Sequence, residues 1–93
     1  MPDVNTEEAN LIAMGWLQYN YLPDRYCPQE PILDETNKIW RVPIYLVYAS
    51  GEGGEVGELQ IDIKTRKVIS HTPIDTIKAK GKILAEKIID LLR

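Results

Sequence analysis

Ile39-Trp-Arg-Val-Pro-Ile-Tyr-Leu-Val-Tyr48 and, after a glycine-rich acidic turn, Val56-Gly-Glu-Leu-Gln-Ile-Asp-Ile-Lys-Thr-Arg-Lys-Val-Ile-Ser-His-Thr72 decide the fold. Successive side chains of an extended chain point to opposite faces. The first stretch therefore sets Trp40, Val42, Ile44, Leu46 and Tyr48 on one side, with Ile39, Arg41, Pro43, Tyr45 and Val47 on the other. The second alternates more cleanly, Leu59, Ile61 and Ile63 against Glu58, Gln60 and Asp62. One apolar and one polar face mark an antiparallel sheet covered on one side only. A short third strand over 68–71 completes an expected three-stranded meander, residues 39–71. Pro43 has no amide to give a ladder, which predicts that the first strand is a sheet edge or bulges there. The turn between the second and third strands, Asp62 to Lys67, contains no glycine. Short hairpin loops commonly need one residue of positive φ, so Arg66 or Lys67 must supply it at about 1 kcal/mol.

Helices are expected before and after the meander in the chain. Asn5 followed by Glu8 is a capping-box pattern, and Ala9, Ile12, Ala13, Trp16 and Leu17 recur at helical spacing. This predicts a first helix over about 5–22, ended by Pro23. Thr72 as cap and Pro73 at the first helical position start a second helix over 73–92, with Asp75 in its first turn. Its apolar stripe runs through Ile74, Ile77, Gly81, Leu84, Ala85, Ile88 and Leu91 or Leu92. Gly81 on that stripe predicts a close approach, with Trp40 or Trp16 as the expected neighbour. Residues 23–38, with prolines at 23, 28 and 31, read as an irregular connection pinned by Tyr26, Cys27, Ile32 and Leu33. The expected architecture is thus a single α+β domain, residues 1–93: an N-terminal helix, a three-stranded antiparallel β-meander and a C-terminal helix packed on one sheet face. Its expected core is Ile12, Trp16, Trp40, Val42, Ile44, Leu46, Leu59, Ile61, Ile63, Ile77, Leu84 and Ile88.

Composition narrows the classes of function. An apolar share of 44% and a charged share of 27% are those of an ordinary globular domain. No run of about 18 apolar residues exists, so no membrane association is expected. The N-terminal stretch lacks an apolar signal segment, and the lone cysteine, Cys27, cannot staple the fold; the expected compartment is the cytoplasm. Charge is segregated: residues 1–63 hold eleven acids and three bases, residues 64–93 eight bases and three acids.

Motifs for chemistry are sparse. One histidine, His71, and one cysteine, Cys27, are the only pair with which to build an unrecognised nucleophilic site. A structural zinc site needs four such ligands. Glu52, Glu55, Glu58 and Asp62 lack calcium-loop spacing and read as a solvated acidic face. The glycines at 51, 53, 54 and 57 lie among glutamates between two strands, unlike a phosphate cradle. No cofactor or metal is therefore expected. The basic C-terminal third (Lys64, Arg66, Lys67, Lys78, Lys80, Lys82, Lys87) is the only material for binding nucleic acid. A sequence pI of about 5.1 opposes that reading.

The order helix, tryptophan strand, hairpin, Asp-x-x-Thr turn, helix resembles the PepSY-like group of small domains. The residues carrying the likeness are Trp40, Val42, Leu59, Ile61, Asp62, Thr65 and Val68. The chain is also similar to small bacterial immunity-type proteins. Arg66 stands where both groups usually have glycine. The first resemblance implies binding or inhibition of peptidases, and the second implies neutralising a toxin inside the cell. The expected function is therefore a non-catalytic cytosolic protein-binding module, immunity- or antitoxin-like, with an unidentified protein partner. Its candidate surface is Arg41, Pro43, Tyr45, Val47 and Tyr26. Homodimerisation through the edge strand, or capture of a partner strand there, stands beside a merely solvent-facing edge. The alternative classes are an enzyme using Cys27 and His71, and a nucleic-acid-binding protein.

Overall fold

A computed structural model describes residues 3–22, 25–47 and 53–92, with side chains as far as residue 87. Tyr48, Glu52, Pro23 and the side chain of Ile88 lie outside that range. The elements run α1 (Thr6–Tyr19), β1 (Tyr26–Pro28), β2 (Ile32–Asp34), β3 (Ile39–Val47), β4 (Gly53–Asp62), β5 (Val68–His71) and α2 (Ile74–Leu92). The α+β class and the antiparallel sheet are as expected, but among the described residues the sheet has five strands, in the order β1-β3-β4-β5 with β2 also on β3.

The two additional strands come from the segment read as irregular. Tyr26, Cys27 and Pro28 pair with Leu46, Tyr45 and Ile44, while Ile32, Leu33 and Asp34 pair with Arg41, Trp40 and Ile39. β1 and β2 thus share one side of β3, end to end. β3 is consequently an internal strand, and the edge expected from Pro43 does not exist. The proline is accommodated because the break between β1 and β2 falls beside it. The Gln29 amide donates to the Pro43 carbonyl at 2.8 Å. N–H and C=O of one strand residue point the same way, so the missing donor of Pro43 also faces that break and costs no bond to β4.

α1 opens as expected. The Asn5 side chain accepts from the Glu8 amide at 2.8 Å, and the Glu8 carboxylate accepts from the Asn5 amide. It closes three residues earlier than Leu22. The Leu22 amide reaches the Leu17 carbonyl and the Tyr21 amide the Gln18 carbonyl, with Tyr21 at φ 58°. These bonds form a Schellman motif whose apolar clasp is Leu17 against Leu22, both buried. Thr72 does not cap α2. Its hydroxyl accepts from the Glu58 amide of β4 at 3.0 Å, and the helix starts at Ile74, with Ile77 donating to Pro73.

Both helices lie on one face of the sheet. Ala9, Ala13 and Leu17 of α1 and Ile77 of α2 join Val42, Ile44, Leu46, Leu59 and Ile61 in a single core, with Val4 and Val56. Ile12, Trp16, Trp40 and Leu84 pack against it but are only partly buried. Val56 is an extra residue in β4 where the register with β3 shifts, and so turns inward beside Gly57. A Cβ on Gly57 would lie 2.9 Å from Ile77 Cγ1 and 3.0 Å from Thr72 Cβ, so the start of α2 sits directly on this bulge. Gly81 approaches Tyr26 of β1, neither Trp40 nor Trp16, and it is this contact that joins α2 to the proline-rich segment. The N-terminal residues add to the same layer: Val4 donates to the Ile63 carbonyl at 2.9 Å, and Trp40 Nε1 donates to the Val4 carbonyl at 2.8 Å.

Candidate functional site

The sheet face opposite the helices carries Arg41, Pro43, Tyr45 and Val47, four of the five residues singled out from sequence. Cross-strand partners in an antiparallel pair share a face. Ile32 therefore lies beside Arg41, Glu58 beside Pro43, Gln60 beside Arg41 and Glu55 beside Tyr45. Ile32 is 57% exposed, and Tyr45 and Val47 37% each, while their neighbours in sequence Val42, Ile44 and Leu46 are buried. An apolar row thus stands on a face that neither α1 nor α2 covers. Tyr26 points the other way, against the core, and is not part of this surface.

A shallow groove of about 530 Å³ opens on the same face, lined by Gln29, Glu30, Pro31, Ile32, Pro43 and Tyr45. Its floor exists because β1 stops at Pro28 and β2 starts at Ile32. The prolines that break the ladder also shape the hollow. Sequence reasoning missed Ile32 and Glu30 as surface residues. The signal that could have found them is the Pro-x-x-Pro spacing opposite Pro43.

The polar half of the face is a network around Arg41. Its Nε donates to Asp34 Oδ2 at 3.4 Å and its Nη1 to Glu58 Oε2 at 3.3 Å. Gln60 Nε2 also donates to Glu58 Oε2 at 3.4 Å. Asp34 is further held by the side chain and backbone amides of Asn37, and with Arg41 these donors keep its carboxyl below the usual carboxylate range. Asp62 is held below it by the backbone amides of Thr65 and Lys64, both at 2.8 Å.

The turn following Asp62 resolves the residue without glycine. Arg66 takes φ 66°, and its guanidinium pairs with Glu8, the capping-box acid of α1. The unfavourable backbone position directs a side chain from the β4–β5 turn onto the start of α1, an attachment glycine could not supply.

Cys27 and His71 do not form a site. Cys27 is on β1 and His71 on β5, at opposite ends of the order β1-β3-β4-β5. With strands about 4.8 Å apart, three intervals put some 14 Å between their backbones. The His71 ring lies 4.9 Å from the Trp16 ring at a tilt of 49°, with Nδ1 2.9 Å from the Thr72 carbonyl oxygen. Among the described residues no group of three or more His, Cys, Asp or Glu is placed to hold a metal ion, and no helix is long and apolar enough to cross a membrane.

No family model matches the chain, and neither does any curated protein or solved structure.

Proposed function

We propose that the chain is a non-catalytic protein-binding module of the cytoplasm, working through the uncovered face of its sheet. The observation that carries this reading is the apolar row Ile32, Tyr45 and Val47, exposed beside the Pro43 groove on the face opposite α1 and α2. Apolar side chains grouped on an otherwise solvated sheet surface are the usual anchors of protein contacts. The immunity- or antitoxin-like role is the finer form of the same proposal. It rests on the resemblance carried by Trp40, Val42, Asp62 and Thr65 and on the order of elements, α1, strands, α2.

Site-specific photo-crosslinking in the source cell tests it. A benzophenone amino acid at position 45 should trap one protein, and the same group at Tyr19, 82% exposed on the far end of α1, should not. Crosslinks of equal yield from both positions, or none from position 45, would defeat the proposal. Capture of an unrelated set of abundant proteins from position 45 would defeat it equally.

A further inference from the structure

The charges around the apolar row are unbalanced. Five carboxylates, those of Glu30, Asp34, Glu55, Glu58 and Asp62, lie on this face by register or on the groove wall. Against them stand four cations among the described residues: Arg41 within the face, Arg25 at its rim, where the Arg25 carbonyl accepts from the Val47 amide, and Lys64 and Lys67 beside Asp62, the Asp62 amide donating to the Lys67 carbonyl. The balance, four minus five, is −1, but both lysines stand at the Asp62 end of the face and neither lies beside Tyr45 in the register. Arg41 is already engaged by Asp34 and Glu58. An anionic ligand would have to displace both carboxylates to reach it. Glu55 lies directly across the ladder from Tyr45, and Glu30 lines the groove on the opposite flank. The apolar anchor is therefore flanked by a carboxylate on each side.

We infer that the occupant of this face is a cationic segment of a partner protein, in which an aliphatic or aromatic anchor seats against Ile32, Pro43 and Tyr45 with a Lys or Arg on each side meeting Glu30 and Glu55. The inference rests on the binding-face reading above and names the chemistry of its partner. A second copy seated on Tyr45 would bring its own carboxylates against Glu30 and Glu55, and a phosphate backbone would meet the same repulsion there.

The test is an amide-resolved NMR titration of the full chain with three blocked heptapeptides. Each carries one central Trp, flanked on both sides by Arg in the first, Ser in the second and Glu in the third. The Arg peptide is expected to shift the amides of Ile32, Tyr45 and Val47 and to bind roughly two- to thirtyfold more tightly than the Ser peptide, the sum of two exposed pairs. The double variant E30Q/E55Q, with both side chains at the surface, should erase that advantage, as should raising the salt to about 0.5 M. Equal binding of the Ser or Glu peptide at these amides overturns the cationic partner and leaves the binding face standing. Shifts confined to α1, or none from any peptide at millimolar concentration, overturn both. Concentration-dependent shifts at Ile32 and Tyr45 in the protein alone assign the face to a second copy and overturn the inference.

Discussion

Gly81→Ala should destabilise this protein, although glycine to alanine inside a helix ordinarily does the reverse. The intrinsic gain is about 1 kcal/mol. The added Cβ, however, would meet Tyr26 Oη and lie 3.2 and 3.3 Å from Tyr26 Cζ and Cε1. The ring is partly buried against the core from β1, so moving it aside gives up part of that packing. Overpacking of that kind costs about 1–3 kcal/mol, which leaves a net loss of about 0–2 kcal/mol. For a domain of this size each kcal/mol is worth about 4–8 °C in melting temperature. Tyr26→Leu removes the phenol end of the ring, and in that background Gly81→Ala should return to a gain of about 1 kcal/mol. Urea unfolding of the wild type, both single variants and the double variant forms a cycle, and a coupling of about 1–3 kcal/mol is expected. If Gly81→Ala stabilises the wild type and the Tyr26→Leu background alike, Tyr26 does not lie on α2 and the packing of β1 described above is wrong.

Three further outcomes follow from particular residues. Lys38 and Tyr21 hold φ values of 56° and 58° with exposed side chains, so Lys38→Gly and Tyr21→Gly should each raise the urea midpoint, by about 0.5–1 kcal/mol in stability. Arg66→Gly should gain less than either, because it gives up the Glu8 pair; a gain at least as large would show that the pair contributes nothing. Asp34 and Asp62 have folded-state pKa values below the ordinary one, so their contribution is complete above the usual carboxylate range and is lost as pH falls through the lowered values. The double variant Asp34→Asn, Asp62→Asn should therefore lose less melting temperature than the wild type between about pH 5 and about pH 3, and an equal loss would place the acid-sensitive groups elsewhere. Thr72→Val removes the hydroxyl that accepts from Glu58 while keeping the shape, and should cost about 1 kcal/mol through the β4 bulge. Helix-cap loss instead would appear as fraying of α2 amides by hydrogen exchange.

What sequence revealed and what it hid divide along physical lines. The alternation of 39–47 and 58–63 is long enough for a period of two to stand out, and the buried row Val42, Ile44, Leu46, Leu59 and Ile61 follows from it. The capping box at Asn5 and Glu8 and the positive φ of the 62–67 turn are short-range rules that depend on few neighbours, and both were legible. β1 and β2 were not. Three residues show no period, and each is held by backbone pairing to a strand some eighteen or seven positions away. Prolines at 28 and 31 argued for a loop, yet they stand at the end of one strand and just before the next, where no ladder amide is needed. Pro43 misled for the same reason: its missing donor is excused by a gap in the neighbouring strands as readily as by an open edge. Of the candidate surface, the four β3 residues were found by parity alone. Ile32, Glu30 and Glu55 needed the register.

The proposed working surface is the sheet face, because β1 and β2 already occupy the side of β3 that would otherwise be an open edge. Two bonds exist only in that arrangement, Gln29 amide to Pro43 carbonyl and Val47 amide to Arg25 carbonyl, each 2.8 Å. Native-state hydrogen exchange of these two amides reports whether β3 is covered on that side. Protection well above that of the exposed Glu35 and Thr36 amides in the β2–β3 turn is the expected result. Exchange of Gln29 and Val47 at open-chain rates would leave β3 as an edge strand and contradict the account.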